Sequence, residues 1–437
     1  MRLTDNATAS GTLDDPTVLS AILKGTVVGY LKRRAPTSDL GHDDYASRRF
    51  ASYFGRFGAS VRIFDPSHHS GQELVSFLTT EKPAFVFAFN GAGIGARAAG
   101  ADANTSTSTY DDCRVPYICR ISNPVFSRNS ARSFGPGPKL RTILLHDAHE
   151  LGVARRLMGV GDIVGGLRGN PLDVTANGPG AWQPADQRQH RLLVACDYVP
   201  PEEMRRQWMD HYGPLGHLLD HVLEAASPSG THCLAETALP VLESAGLMDI
   251  RYMQVATAVI EGANLMLKMA RRRQVLRQTL STPCHYVFHG TPPALPFHSD
   301  STFERRVPAD RLADMIGNTR AYLAFNPQNM SGAFGERITE AVARGTMAIC
   351  MENSAARAVF DDGEGPVFFD PDKDDLCDRL RMILEDPTVT ERTHAAYTSM
   401  QRRHGVNHFV ASVLRTIVAK HPWSQIGRRV LELGLTN

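Results

Sequence analysis

Two series of short apolar runs, each alternating with helix-patterned segments, restrict this chain to a two-part α/β architecture. The first series reads TVVGYL (26–31), VRIFD (61–65), AFVFAFN (84–90), VPYICRIS (115–122) and TILLHD (142–147). Each run is rich in Val, Ile and Phe and ends in polar, Gly or Pro residues, the mark of a buried strand. Helical patterns lie between them, as at 43–57, where Tyr45, Phe50, Tyr53, Phe54 and Phe57 recur near helical spacing, and at 70–81. Strand–helix alternation predicts a parallel sheet covered on both faces. Such sheets bind ligands at the carboxyl ends of their strands. That placement singles out Asn90, Gly91, Asn123, Pro124, His146 and Asp147.

The series is interrupted at 168–187 by RGNPLDVTANGPGAWQPADQ, which is dense in Gly, Pro, Asn and Asp and has no periodicity. It reads as a domain boundary. RLLVACDYV (191–199) opens a second series. A mostly helical region follows at 202–280, and strands resume at CHYVFHG (284–290), RAYLAFN (320–326), TMAICMEN (346–353) and PVFFD (366–370). Helices are expected at 309–318, 336–344, 373–385 and 389–420. The expected organisation is a flexible segment at 1–20, a first domain at 21–167 and a linker at 168–190. A second domain with its helical region follows at 191–420, and a tail at 421–437. The Ser/Thr/Asp-rich stretch 102–112 reads as a surface loop.

Composition narrows the function classes. The formal net charge is +1 and basic residues are scattered, which argues against non-specific nucleic-acid binding. Seven dispersed cysteines without a C-x-x-C pair read as free thiols in a reducing compartment. The first residues lack a secretory pattern, and no apolar stretch reaches the ~18 residues of a membrane span. The expectation is a cytoplasmic protein.

The segment most suggestive of chemistry is RAYLAFNPQNMSGAFGERITEAVARGTMAICMEN (320–353). A strand ends near Asn326, and a loop with Ser331, Gly332 and Gly335 follows. A helix then runs from about Glu336 to a Gly345 stop. A glycine loop feeding a helix start offers unpaired N–H groups and a positive dipole end, which suit a diphosphate. Glu340 lies one turn into the helix, where a carboxylate can accept both ribose hydroxyls. A tight packing loop with a solvated Glu fits the same letters.

FGERITEAVARGTMAIC resembles the donor-binding motif of GT-B glycosyltransferases: Phe-Gly, four residues, Glu-Ala, then a small residue and Gly before a buried strand. The stretch VFFDPDKDDLCDRLRMILEDPTVTERTHAAYTSMQRRHGVNHFVASVL continues the likeness, which is nearest to the CgeB-like, spore-maturation-type branch and covers about 280–420. ANGPGAWQPADQRQHRLLVACDYVPP resembles the interdomain crossover of such enzymes. The resemblance implies two Rossmann-like α/β domains facing a deep cleft, with a helical insertion in the second. It implies that Glu340 binds the donor ribose. Ser331, Gly332, Phe334 and Gly335 would face the donor sugar or its phosphates, and His289 and Gly290 would lie near the nucleotide. Retaining members often carry a Glu-x7-Glu pair. Here Gly332 stands at the first position, so an inverting enzyme with a base from the first domain gains weight.

Candidate bases are few. His146 in HDAHE (146–150) follows a strand, with Asp147 or Glu150 to hold its tautomer. The same residues fit a helix N-cap and a satisfied strand-end histidine. A metal site of His146, Asp147 and His149 lacks the H-E-x-x-H spacing. His68 and His69 end another strand. Asn90 to Gly95 resembles a dinucleotide loop only loosely and reads as cleft lining. For phosphate charge, Arg305, Arg306 and Lys268 are the candidates, with a surface role as the alternative. Phe288, Tyr322 and Phe325 read as core.

These observations lead to a metal-independent hexosyl or related transferase. It would move sugar from a nucleotide diphosphate sugar, its co-substrate, to an acceptor nucleophile, with no separate cofactor. A sugar-nucleotide epimerase of the same fold and a non-catalytic nucleotide-sugar-binding scaffold are the competing readings.

Overall fold

A computed structural model describes residues 12–32, 42–97, 107–121, 125, 127, 133–134, 137–147, 150–158, 163–165, 179–226, 234–247, 252–325, 335–352, 354–360, 365–373 and 376–435. Ser331, Gly332 and Phe334, together with Asn123, Pro124 and His149, lie outside the described residues, as do residues 102–106 of the Ser/Thr/Asp-rich stretch.

The first series forms a six-stranded parallel sheet: β1 (Val27–Leu31), β2 (Ser60–Phe64), β3 (Phe85–Phe89), β4 (Tyr117–Ile121), β5 (Arg141–Leu145) and β6 (Ile163–Gly165), in the order β2-β1-β3-β4-β5-β6. Successive side chains alternate between its faces. Val28, Tyr30, Phe85, Phe87, Ile118 and Leu144 meet α1 (Pro16–Leu23) and α2 (His42–Gly55). Leu31, Val86, Ala88, Cys119, Ile121, Ile143 and Leu145 form the opposite face with α3 (Gly71–Thr80). Local signals set the helix starts. Asp15 caps α1 ahead of Pro16, and Ser70 with Glu73 forms a capping box on α3. Two short helices, α4 (Thr109–Asp112) and α5 (Glu150–Met158), complete this half.

The second sheet contains β7 (His190–Tyr198), β8 (His285–Gly290), β9 (Thr302–Arg305), β10 (Thr319–Ala324), β11 (Met347–Met351) and β12 (Val367–Phe369), all parallel, in the order β12-β11-β10-β7-β8-β9. Both sheets are doubly wound, as expected for two Rossmann-like α/β domains. In each, the chain reverses direction across the sheet beside its first strand. The crevices lie at the carboxyl ends of β1/β3 and of β7/β10, where open sheets bind ligands.

The helices depart from the expected division in two ways. The region after β7 comprises α6 (Pro201–Tyr212), α7 (Gly216–Ala226), α8 (Leu234–Ser244) and α9 (Met253–Gln278). It is not an insertion packed on the second sheet alone. Trp208, Leu219, Leu242, Val259 and Met266 share one apolar cluster with the first sheet and with Ala154 of α5. The end of α9, with Met269, Val275 and Leu276, packs beneath the second sheet, and Met204 of α6 touches the same cluster.

On the second sheet's other face lie α10 (Ala309–Gly317), α11 (Glu336–Ala343), α12 (Ser354–Arg357) and α14 (Val389–His404); α13 (Leu376–Glu385) joins α9. The single helix expected over 389–420 is broken at Gly405. A Cβ there would stand 2.6 Å from the Gln401 carbonyl oxygen, so only glycine permits the bend. The chain then returns to the first domain as α15 (Val406–Lys420) and α16 (Gln425–Glu432). Phe409, Val410, Val413, Leu414, Ile426 and Val430 cover Phe50, Phe54 and Phe87. The expected 191–420 domain and 421–437 tail are therefore redrawn: from Val406 onward the chain covers the first sheet. Periodicity shows that a helix has an apolar face but not which sheet it covers.

Among the described residues no helix is long and apolar enough to cross a membrane.

Candidate active site at the domain interface

Glu340 sits in the second turn of α11 and is almost wholly buried, at 2% exposure. Two neighbours come from its own helix face, since residues three and four apart are adjacent there. Arg337 donates to its Oε2 at 2.9 Å, and the Arg344 Nε lies 3.5 Å from Oε1. A third comes from the other domain: the Tyr45 hydroxyl of α2 donates to Oε1 at 2.5 Å. Arg49, one turn further along α2, lies with its guanidinium 5.4 Å from the Tyr45 ring centre. Burial alone would raise the Glu340 carboxyl. Arg337, Arg49, the Tyr45 hydrogen bond and Arg344 outweigh it and hold the group below the ordinary carboxylate value. Tyr45 is pushed up to about 12, by burial first and by the Glu340 charge second. Burial works to lower Arg49, but Tyr53, Tyr45, Glu340 and Glu336 raise it overall. An exposed pair, Arg48 to Asp310 of α10 at 3.0 Å, adds a second link between the domains.

Gly335 caps α11 with extended backbone and no side-chain cap. A helix start presents the positive end of the helix dipole, which favours an anion. At the other end of the helix, the Trp182 indole of the linker donates to the Ala343 carbonyl at 3.2 Å, and its ring lies directly over Gly345.

The second sheet's switch point carries a cationic pair, Lys268 and Arg272. Asp197, near the end of β7, binds Lys268 at 2.9 Å and also pairs with Arg272. Arg272 lies over the Phe325 ring just past β10, 5.6 Å from its centre. Burial would raise Asp197, and these two cations hold it low. His289 and Gly290 end β8 in register with Asp197 and Tyr198, one strand from the crevice. Arg305 ends the edge strand β9 and is exposed. It stands three strand spacings from β10, roughly 14 Å. Phe288 and Tyr322 are core, at 0% and 1% exposure.

On the first domain, His146 follows β5 and is 9% exposed. Its Nδ1 lies 3.1 Å from an Arg120 Nη2. Arg120 is on the adjacent strand, and its guanidinium also lies 5.5 Å from the Phe89 ring centre and 5.7 Å from that of Phe409. Asp147 is fully buried beside Glu150. Glu150 accepts from the Val125 N–H at 3.0 Å. Burial, then the Asp147 charge, pushes Glu150 up to about 8. This carboxyl is therefore protonated at neutral pH.

The loop after β3 is held by tyrosines: the Tyr117 hydroxyl donates to the Ala92 carbonyl at 2.6 Å and Tyr110 to that of Gly93 at 2.9 Å. His68 and His69 sit in an exposed turn with Asp65, which Lys32 binds at 2.6 Å.

The interface thus brings Glu340 together with Tyr45, Arg49, Arg337 and Arg344, and places Arg120 with His146. Arg337 and Arg344 were within reach of sequence, at i−3 and i+4 from Glu340. Arg120 had a signal too, as a lone charge inside the apolar run VPYICRIS. Tyr45 and Arg49 had none, because their role arises only where two domains meet.

No curated protein matches the chain. Among solved structures, AviGT4, a glycosyltransferase involved in avilamycin A biosynthesis, aligns over 90% of this chain and 98% of its own at 14% identity and a TM-score of 0.47. Sucrose-phosphate synthase from Thermosynechococcus elongatus aligns over 90% and 99% at 10% identity and 0.48. Anabaena Alr3699/HepE in complex with UDP and glucose aligns over 90% and 100% at 12% identity and 0.39. In sequence, residues 265–415, which hold β8 to β12 and the whole Glu340 helix, match the family described as glycosyl transferase-like.

Proposed function

We propose that this chain is a glycosyltransferase that takes a sugar from a nucleoside diphosphate sugar bound on the second domain and passes it to an acceptor nucleophile held by the first. The supporting observation is the buried, ionised Glu340 on α11, inside the 265–415 match. A carboxylate held in that state can accept both hydroxyls of a ribose, while the positive dipole end of α11 and the Lys268–Arg272 pair supply positive charge for the diphosphate. Positive potential fixed in place stabilises a leaving diphosphate as its charge develops. The first domain's crevice, at the β1 and β3 ends, holds the acceptor against the anomeric carbon. In this arrangement the Tyr45 hydroxyl occupies Oε1 of Glu340, so the ribose takes the place of a phenol when the donor enters.

The finer proposals are a hexosyl donor, a reaction that needs no metal, and membership of the spore-maturation-type branch. The donor class and the branch rest on the motif resemblance over 280–420, and the independence of metal on the lack of a D-x-D run in a plausible loop. Calorimetry against uridine and guanosine diphosphate sugars tests donor binding, and chromatography of released nucleoside diphosphate tests turnover. Micromolar binding by at least one donor is expected, with turnover that survives dialysis against EDTA. Failure to bind any donor sinks the reading. Conversion of the donor's sugar without acceptor, seen by NMR, replaces transfer with epimerisation.

A further inference from the structure

We propose that Arg120 fixes His146 as a hydrogen-bond donor with its proton on Nε2, so that His146 donates to bound substrate and does not take the acceptor's proton. The role toward substrate rests on the transferase reading; the tautomer does not.

A guanidinium has five N–H donors and no acceptor. At 3.1 Å from Arg120, the His146 Nδ1 must therefore be the accepting atom. A neutral imidazole carries one N–H, and with Nδ1 accepting, that hydrogen is on Nε2. A doubly protonated ring would set N–H against N–H and place two positive charges in contact.

The fold gives Arg120 little room to leave. It is 2% exposed, and its guanidinium is flanked by the rings of Phe89 on β3 and Phe409 on α15. Parallel pairing sets Arg120 opposite Leu144, so Arg120 and His146 fall on one face of neighbouring strands. The His146 N–H completes that register by donating to the Ile121 carbonyl at 3.0 Å. Charged and titratable groups reach the pair from every side: Tyr30 of β1, Tyr53 of α2 and Glu336 of α11 act on Arg120, and Asp147 and Glu150 follow β5. Glu336 is the first residue of the α11 helix, so the pair belongs to the domain interface. A general base would need a bare Nε2 turned to the acceptor, and this arrangement leaves Nε2 protonated. Arg120 is thus a positioning residue, and its effect is the choice of ring nitrogen.

Two-bond ¹H–¹⁵N correlation spectra of the full chain labelled at histidine test this directly. The His146 signals are identified by their loss in His146→Gln. At pH 7 a protonated Nε2 and a bare Nδ1 are expected; a proton on Nδ1, or on both nitrogens, overturns the proposal. Arg120→Lys keeps a donor and is expected to keep the tautomer. Arg120→Met is expected to mix the tautomers and to raise the His146 titration midpoint by about one unit or more, since a cation is removed. No change in either overturns the proposal; if Arg120→Met does not fold, the wild-type and Arg120→Lys spectra decide.

None of these readouts requires turnover, so failure of the transferase reading and failure of the tautomer assignment are separable. In the transfer assay, His146→Gln can donate a hydrogen bond but cannot take a proton. It is expected to keep at least about a tenth of wild-type kcat, while His146→Ala falls about a hundredfold. Equal losses in both variants mark a base and reject the donor role.

Discussion

The Tyr45 hydroxyl and the Glu340 carboxylate, 295 residues apart in sequence, meet at 2.5 Å across the boundary between the two domains. One partner is a phenol and the other a carboxylate already bound by arginine. The contact therefore resembles, group for group, the one a ribose hydroxyl would make. Under the proposed function, the donor ribose and the tyrosine compete for the same oxygen.

Tyr45→Phe removes that competitor and leaves the ring in place. A hydrogen bond to a charged group contributes about 1.5–3 kcal/mol. Part of that is regained by the ligand, so nucleotide affinity is expected to rise about tenfold. Calorimetric titration with nucleoside diphosphates measures it. Weaker binding in the variant would mean that Tyr45 belongs to the ligand site instead of blocking it.

Glu340→Ala takes from Arg337 its paired carboxylate and from Arg49 one of its nearby negative charges. Breaking one side of a buried ion pair costs about 3–5 kcal/mol. Glu340→Gln retains hydrogen-bonding atoms and is expected to lose less stability while still losing nucleotide affinity. Urea unfolding midpoints of the two variants test the order. Equal stability of Ala and wild type would show that the arginines find water or other partners.

Glu150 makes stability depend on pH. Burial and Asp147 raise its folded value to about 8, above the ordinary 4.5. Between those values the folded state binds more protons than the unfolded state, so stability falls as pH rises. Present in full below 4.5, the contribution fades by an amount on the order of 3–5 kcal/mol as pH passes through 8. Glu150→Gln keeps an acceptor for the Val125 N–H and is expected to flatten the slope. Thermal melts across pH 5 to 8 read it; parallel slopes in variant and wild type would reject the assignment.

Phe409→Ala tests the returning helices. Its ring packs 5.7 Å from Tyr53 and 6.4 Å from Phe87, centre to centre. Emptying such a site costs about 3–5 kcal/mol. Because Phe409 belongs to the far end of the chain, cooperative unfolding of both domains is expected to shift together. A shift confined to the carboxyl-terminal helices would show that they do not brace the first domain.

Sequence and structure part company at identifiable residues. Long buried parallel strands such as FVFAF and MAICM read as unbroken apolar runs, and both sheets follow from them. The edge strand TFER of β9 carries three exposed residues, and β6 has only three in all, so neither has enough apolar pattern to be found. The break at Gly405 depends on a carbonyl four residues back, which a periodicity window averages away. Glu340 stands out because its spacing to Gly335 and Gly345 lies within one helix. Its partners Tyr45 and Arg49 come from another domain, and local pattern carries no information about such a meeting.

One helix gives the domain boundary a mechanical meaning. Met266 of α9 ends in the apolar mass of the first sheet, and Met269 begins in that of the second. Lys268 falls at this seam, with Arg272 one turn beyond, both on Asp197. The 26 residues of α9 form a strut roughly 39 Å long that belongs to both halves. Both cations therefore stand where the strut passes from the core of one domain into that of the other, anchored to the second sheet through Asp197.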